Sequence, residues 1–255
     1  MGIAKKFIRG CFNLTPYEIR RRRKQTRVLP TPTFENVQLA LAYYLKTNRK
    51  LTFVQVGACD GVSGDPICGF IKQGKLNAVL VEPIASCFVK LEQTYRGVPN
   101  VRLVQAAIGS QDGEVTLYKV REDATSIASF WSTQLASFSK ALLNEHGVAE
   151  HEIEPVKVRC LTLVSLVREL DLGAIDILQV DTEGFDSEIV KMALKLPVIP
   201  ECINFENTHL DEKKLNEVFS LLAQHGYSWT HDDWNTLALN KRLTDRWTQS
   251  PAADS

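Results

Sequence analysis

Nearly continuous apolar runs alternate with segments of helical periodicity along most of this chain. The runs most typical of buried strands are LTFVQVGA (51–58), AVLVEP (78–83), VRLVQAAIG (101–109), AIDILQVD (174–181) and PECINFEN (200–207). Such runs favour strands covered on both faces, as in a parallel sheet, over half-exposed strands with alternating polarity.

Apolar positions at helical spacing predict helices between these strands. The predicted helices cover residues 35–46, 66–72, 85–95, 163–172, 186–196 and 211–225. Two last strands over 227–240 are predicted to form a hairpin. We therefore expect an α/β fold with a mostly parallel central sheet, helices on both faces and antiparallel C-terminal strands.

The sequence divides into an N-terminal arm and a single domain that contains one irregular stretch. Residues 1–33 form a basic arm and linker, which ends at Pro30 and Pro32. Residues 34–250 are predicted to form one domain. Within it, 121–154 is the least regular stretch; strands are predicted on either side, over 112–120 and 156–163, and a helix over 130–145. Irregular insertions in α/β folds often cover sites, so we expect 121–154 to form the wall for a second substrate.

Charge and cysteine content narrow the class of protein. The 255 residues carry 30 basic and 30 acidic side chains, but residues 1–27 hold nine basic residues and one acid. The acidic body argues against nucleic-acid binding. No apolar run is long enough to span a bilayer, and no signal peptide is recognised. Six dispersed cysteines without a CxxC pair predict reduced thiols and a cytoplasmic location, rather than a disulfide framework or a zinc site.

The basic arm has three interpretations. If this arm is helical, Phe7, Ile8, Cys11 and Phe12 would share one face beside basic residues, which fits peripheral contact with an anionic membrane at the inner surface. The same arm is compatible with packing on another subunit. A solvated helix is the simplest interpretation, because the charges of 20–24 surround the helix.

Ligands of open α/β sheets bind beyond the carboxyl ends of the strands, which directs attention to the residues found there. Gly57, Gly61 and Gly64 follow the first strand with spacing G-x-x-x-G-x-x-G, which serves either a ligand loop or simple turns. Glu82 ends the second strand and is suited to accept hydrogen bonds from a ribose. Gln105 and Ala106 end the third, where a base edge or plain packing are the alternatives.

The most specific strand end is ILQVDTEGFD (177–186). Asp181 and Glu183 follow the most hydrophobic strand, and Asp186 is placed to cap the next helix. Two carboxylates here need a ligand or basic partners. Glu206 and His209 follow the next strand, and His209 is a candidate general base; His231 lies in the final turn.

Four sequence blocks resemble the FkbM family of S-adenosylmethionine-dependent methyltransferases over roughly residues 51–240. They are FVQVGACDGVSGDP, VLVEP, VRLVQAAIGSQDGEVTLY and IDILQVDTEGFDSEIV, and GYSWTHDDWNTLAL is similar to the family's C-terminal block. The chain departs from the family at Cys59, where Asn is usual, and at Gln55, where Asp is frequent.

The resemblance implies a Rossmann-like class I methyltransferase fold and methyl transfer to a hydroxyl of a sugar, glycan or natural product. It implies S-adenosylmethionine as cofactor. A divalent metal bridging Asp181 and Glu183 to the acceptor is an alternative, but two acids in one turn do not define a metal site, so none is assigned. Cofactor contacts are expected from Gly57, Asp60, Gly61, Asp65, Glu82, Gln105, Ala106 and Asp181. Catalytic roles are expected for Asp181, Glu183 and His209, and acceptor contacts for Ser126, Ser129, Glu206 and His231.

Two other functions are compatible with the sequence. A methyltransferase-like binding or scaffold module without catalysis is suggested by Cys59 and Gln55. A nicotinamide-dependent oxidoreductase is compatible with Glu82, which lies 25 residues beyond Gly57. The glycine spacing and the absence of a Tyr-x-x-x-Lys pair near the fourth strand argue against the oxidoreductase.

Overall fold

A computed structural model of the chain describes residues 36–46, 50–126 and 135–243. Seven strands form the main sheet. In chain order they are β1 (Leu51–Val56), β2 (Leu76–Val81), β3 (Val101–Val104), β8 (Ile177–Val180), β9 (Cys202–Glu206), β10 (Tyr227–His231) and β11 (Asn235–Asn240). Their order across the sheet is β3-β2-β1-β8-β9-β11-β10.

The sheet is mostly parallel, as predicted. Strands β3, β2, β1, β8 and β9 run parallel, whereas β11 pairs antiparallel with β9, and β10 pairs antiparallel with β11. Successive strands β1, β2 and β3 extend to one side, and β8 lies on the other side of β1. The strand order therefore reverses between β1 and β8, and this reversal is where open α/β sheets bind ligands.

Helices cover both faces of the main sheet. On one face lie α1 (Asn36–Lys46), α2 (Cys68–Lys72) and α3 (Ala85–Thr94), and on the other α5 (Leu163–Glu169), α6 (Asp186–Ala193) and α7 (Glu212–Gln224). Adjacent residues of β1 show the alternation: Phe53 packs with the first group and Val54 with the second. Both residues are fully buried, which explains the continuous apolar runs in the sequence.

A second sheet of four strands was not predicted. It contains β4 (Ala107–Ile108), β5 (Gly113–Val120), β6 (Ala136–Ser137) and β7 (Ile153–Leu161), in the order β4-β7-β5-β6. The single strand predicted over 101–109 is therefore wrong. The chain turns at Gln105, where the Ala106 amide donates to the Val104 carbonyl oxygen at 3.1 Å, and the two halves join different sheets.

The stretch 121–154 connects β5 to β7. Its described residues contain β6, the helix α4 (Lys140–Glu145) and a 3₁₀ turn at Glu150–Glu152. The helix predicted over 130–145 is therefore shorter where the structure describes it, because Ala136 and Ser137 pair with β5 instead. In the described residues, no helix has the length and apolar character needed to cross a bilayer. The basic arm 1–33 lies outside the described residues.

Candidate active site

A pocket lies at the carboxyl ends of β1, β2 and β8, where the strand order reverses. Five residues predicted from the sequence line it: Gly57, Glu82, Ala106, Asp181 and Glu183. Residues from the second sheet and its connections close the other side, including Leu117 and Leu135 to Phe138. The pocket therefore combines three carboxylates from the main sheet with an apolar wall from the insertion.

Gly57 begins the loop after β1 and has a left-handed backbone with φ of +83°. A Cβ atom here would lie 1.7 Å from the carbonyl oxygen of Asp181. The amides of Gly57 and Ala58 both donate to the Val81 carbonyl oxygen, at 3.0 and 3.1 Å. Glycine is therefore required by the close packing of three strand ends.

Three other residues predicted to contact the cofactor shape this loop instead of lining the pocket. The Asp60 carboxylate accepts hydrogen bonds from the amides of Val62 and Ser63 and from the Ser63 hydroxyl. Gly61 faces helix α3, because an added Cβ would lie 2.5 Å from the Tyr95 ring.

Asp65 is the third of these residues. Its carboxylate accepts from the Ile67 amide at 2.7 Å and from Gln55 Nε2 at 3.4 Å. Burial is the main cause that raises the pKa of Asp65. The loop's acids thus satisfy its own backbone and side-chain donors.

Glu82 follows β2 and is buried, with 5% of its surface exposed. Its Oε2 accepts from the Cys59 amide at 2.9 Å, and its Oε1 accepts from the Ile84 amide at 2.7 Å. Burial raises the pKa of Glu82 to about 7, although both hydrogen bonds oppose the rise. Glu82 therefore fixes the loop at Cys59 while presenting its carboxylate to the pocket.

The residues after β8 do not continue as a strand. β8 ends at Val180, and Glu183 has a left-handed φ of +51°, so Asp181 and Glu183 do not lie on one face of a strand. Both side chains reach the pocket because the chain turns there. Asp181 is exposed to the pocket. Desolvation by the surrounding protein is the main cause that raises its pKa, and the negative charges of Asp186 and Glu183 raise it further.

Asp186 organises this turn rather than capping helix α6. The N-cap position is Phe185, which provides no side-chain cap. The buried Asp186 carboxylate accepts from the Thr182 amide, the Thr182 hydroxyl and the Gly184 amide, at 3.1 to 3.3 Å. It thereby holds the backbone that carries Asp181 and Glu183.

Glu183 is surrounded by histidines. Its Oε2 lies 3.1 Å from His209 Nε2 and 3.7 Å from His146 Nε2. His209 Nε2 is also 3.6 Å from Glu206 Oε2. The hydrogen bond to Glu183 is the main cause that raises the pKa of His209. The sequence predicted Glu183, Glu206 and His209, but gave no indication of His146, which follows α4 in the irregular insertion.

The insertion contacts the turn after β8 directly. The Ser137 hydroxyl donates to the Glu183 carbonyl oxygen at 2.7 Å, and the rings of Phe138 and Phe185 lie 4.6 Å apart. Ser126 does not line the pocket, because its amide and hydroxyl both bind the Glu152 carboxylate. Ser129 lies outside the described residues.

Two further predicted residues lie apart from the pocket lining. Gln105 is exposed at the turn between the two sheets. His231 is exposed at the end of β10, and its ring centroid lies 5.5 Å from that of Phe219. The structure brings neither side chain into the wall of the pocket.

A mostly parallel sheet of this strand order, with a pocket at its reversal point, defines an α/β protein of the class I methyltransferase fold. A family model described as the Methyltransferase FkbM domain matches residues 55–229. The chain therefore belongs to the FkbM methyltransferase family.

Solved structures align with this chain at low sequence identity. The methyltransferase FkbM from Methylobacillus flagellatus KT is 13% identical over 74% of this chain and 43% of its own, with a TM-score of 0.43. The ribosomal protein L11 methylase from Lactobacillus delbrueckii subsp. bulgaricus is 12% identical, covering 82% and 81%, with a TM-score of 0.37. Aeropyrum pernix fibrillarin with natively bound S-adenosyl-L-methionine is 10% identical, covering 79% and 74%, with a TM-score of 0.41.

The chain thus spans less than half the length of the first of these proteins. A search of curated protein sequences gave no match.

Proposed function

We propose that the chain is an S-adenosylmethionine-dependent O-methyltransferase that acts on a hydroxyl of a sugar, a glycan or a natural product. The observation that carries this proposal is the convergence of Gly57, Glu82 and Asp181 from three neighbouring strands on one pocket. Membership of the FkbM family supports methyl transfer. The pocket supports the assignment of individual residues.

The residues at one end of the pocket fit the ribose of the cofactor. Each carboxylate oxygen of Glu82 accepts one backbone hydrogen bond, and a carboxylate oxygen has room for a second donor. Two ribose hydroxyls are such donors. Gly57 and Ala106 add little side-chain bulk to the same wall, which leaves space beside Glu82.

Bound S-adenosylmethionine supplies a methyl group that is already activated on a sulfonium. The chain therefore needs no covalent nucleophile; its task is to orient the acceptor and to remove a proton from it. Asp181 is the assigned proton acceptor, because it is exposed to the pocket. Among the described residues, its carboxylate accepts no hydrogen bond that would block this role. The acceptor's hydroxyl proton would pass to an Asp181 carboxylate oxygen.

Glu183 and His209 have supporting roles in this proposal. Glu183 lines the pocket. His209 does not line it but contacts the Glu183 carboxylate, so its assigned role is to position Glu183. Ser137 and Phe138 form the opposite wall and are assigned to the acceptor side. This assignment keeps the acceptor wall within 121–154, as predicted from the sequence, but gives the role to Ser137 and Phe138 instead of Ser126.

Calorimetric titration with S-adenosylhomocysteine, beside a reduced nicotinamide dinucleotide, tests the cofactor. We expect micromolar binding of S-adenosylhomocysteine alone. Glu82→Ala should weaken that binding by at least about tenfold, since a hydrogen bond to a charged group contributes about 1.5–3 kcal/mol. The matched control is Glu92→Ala, on the exposed side of the adjacent helix α3, which should bind normally.

A binding or scaffold module is the second candidate, favoured by the engagement of Glu183 with two histidines. Failure of the folded chain to bind S-adenosylhomocysteine would favour this candidate and exclude the proposed cofactor. Binding of the nicotinamide alone would instead favour an oxidoreductase. If the cofactor binds, transfer of a labelled methyl group to a panel of sugar hydroxyls should be lost in Asp181→Ala.

A further inference from the structure

Three side chains from separate segments converge beside the pocket, which one of them, Glu183, lines. Glu183 lies in the turn after β8, His209 lies in the loop after β9, and His146 directly follows α4. One ligand-type atom from each lies within 4.8 Å of the other two, and all three side chains are half-buried. No pair among them is close in sequence, so the convergence is a product of the fold.

The spacing of these atoms fits one metal ion. A tetrahedral zinc ion with bonds of about 2.1 Å separates its ligand atoms by about 3.4 Å. Glu183 Oε2 is 3.1 Å from His209 Nε2 and 3.7 Å from His146 Nε2, which brackets that value. Two imidazoles and one carboxylate are also a donor set that catalytic zinc and non-haem iron sites use, with a position left open.

The surrounding charge is negative, as a cation requires. Glu206 Oε2 is buried and accepts no hydrogen bond from the described residues, and it lies 3.6 Å from His209 Nε2. In the described part of the chain, the ion pairs of Glu183 and Glu206 are all with histidines. A divalent cation would offset this concentration of carboxylates.

We propose that His146, Glu183 and His209 bind one divalent first-row transition metal ion. His146 was not expected as a ligand, because it lies in the irregular insertion and carries no motif. Glu206 is placed to act as a fourth ligand or to hold His209. The three ligands leave room for an exchangeable oxygen on the ion.

The location of the site gives the ion a role, which rests on the proposed function. Glu183 lines the pocket, so an ion on its carboxylate would face the bound acceptor. A metal ion lowers the pKa of a coordinated hydroxyl, as it does for water. The hydroxyl would then lose its proton to Asp181 more readily, and the ion would hold the acceptor oxygen in place.

Titration of the metal-stripped full chain, free of any affinity tag, with Zn²⁺ alone tests the site. We expect one ion per chain. His146→Ala, His209→Ala and Glu183→Gln should each weaken binding by more than about 100-fold, because even changes outside the ligand set cost 10–100-fold. The matched controls are His151→Ala and His225→Ala, which remove exposed histidines and should bind normally.

Cobalt substitution separates this site from adventitious binding to thiols. The described cysteines include Cys59 and Cys87, whose sulfur atoms lie 3.9 Å apart. A Co²⁺ spectrum without a thiolate charge-transfer band supports the proposed ligands, and a strong thiolate band overturns them. Thermal unfolding of each variant without metal identifies any variant that fails to fold. If Glu183→Gln fails to fold, the two histidine variants still test the site.

Two results of the titration would also overturn the site: no Zn²⁺ binding, or binding that the three ligand variants leave unchanged. Both measurements omit cofactor and acceptor. A failure to bind S-adenosylhomocysteine would therefore exclude the proposed function and leave the metal site in place. A failure to bind Zn²⁺ would exclude the metal site and leave the proposed function in place.

Discussion

The backbones of Gly57 and Asp181 pack so closely that no side chain fits between them. A Cβ atom at position 57 would lie 1.7 Å from the Asp181 carbonyl oxygen and 2.8 Å from its carbonyl carbon. The Asp181 amide also donates to the Val56 carbonyl oxygen at 3.0 Å. The carboxyl ends of β1 and β8 are thus joined at the point where the strand order reverses.

Gly57→Ala is therefore expected to be strongly destabilising. Gly64 provides the matched control, since it has a similar φ of +70° but nothing within 4 Å of an added Cβ. Gly64→Ala should cost about 1–2 kcal/mol for the left-handed backbone alone. Gly57→Ala should cost at least about 3 kcal/mol, because the strand ends must also separate. Urea unfolding measures both, and equal losses would contradict the contact.

The main sheet was predictable because its strands are buried on both faces. Phe53 and Val54 pack on opposite sides, so the sequence of β1 is apolar without interruption. The second sheet was not predictable on these grounds. No glycine or proline marks the change of sheet at Gln105, and β6 contains only Ala136 and Ser137. Its pairing with β5 depends on tertiary contacts rather than on local periodicity.

The pKa of Glu82 predicts a pH dependence of stability. Burial raises it from 4.5 to about 7, so the folded state binds the proton more tightly than the unfolded chain. This contribution to stability is fully present below pH 4.5 and is lost as the pH rises through about 7. The loss is about 3 kcal/mol at 1.36 kcal/mol per pKa unit.

The pKa of the buried Asp186 is raised in the same way and adds its own pH dependence. Comparison of the wild type with Glu82→Gln isolates the contribution of Glu82, because both proteins contain Asp186. Unfolding free energies measured from pH 5 to pH 8 should fall more steeply in the wild type. Ribose hydroxyls prefer the ionised carboxylate, so S-adenosylhomocysteine should also bind about tenfold more tightly at pH 8 than at pH 6. Identical slopes in the two proteins would show that Glu82 does not titrate in this range.

Asp186→Ala should destabilise the turn that carries Asp181 and Glu183. It leaves three donors of Thr182 and Gly184 without their acceptor, at a cost of about 3 kcal/mol or more. Glu188→Ala is the control, because Glu188 is in the same first turn of α6 but is exposed and pairs with Lys191. It should change stability by no more than about 0.5 kcal/mol. Chemical denaturation of both variants makes the comparison, and equal effects would exclude the assigned role of Asp186.

The sequence predicts the location of the site better than the roles of its residues. Strand ends pointed to Glu82, Asp181 and Glu183, since topology alone brings them to one edge. The acids Asp60 and Asp65 have the same local signal, yet they bind the loop's own donors. That distinction depends on where each carboxylate points, which the sequence does not contain.

Cys59→Asn should stabilise the protein. Cys59 has a left-handed φ of +48°, a conformation in which asparagine is several-fold enriched among residues other than glycine. Because Cys59 is half-buried and lines the pocket, the asparagine amide would reach solvent. We expect a gain of about 0.5–1 kcal/mol over Cys59→Ala, which also removes the thiol but keeps the backbone cost. Thermal unfolding measures the difference. Asn100→Cys is the reverse control: Asn100 has a φ of +61°, so the substitution should lower stability for the same reason. If Cys59→Asn is no more stable than Cys59→Ala, backbone strain at position 59 is excluded as the cause.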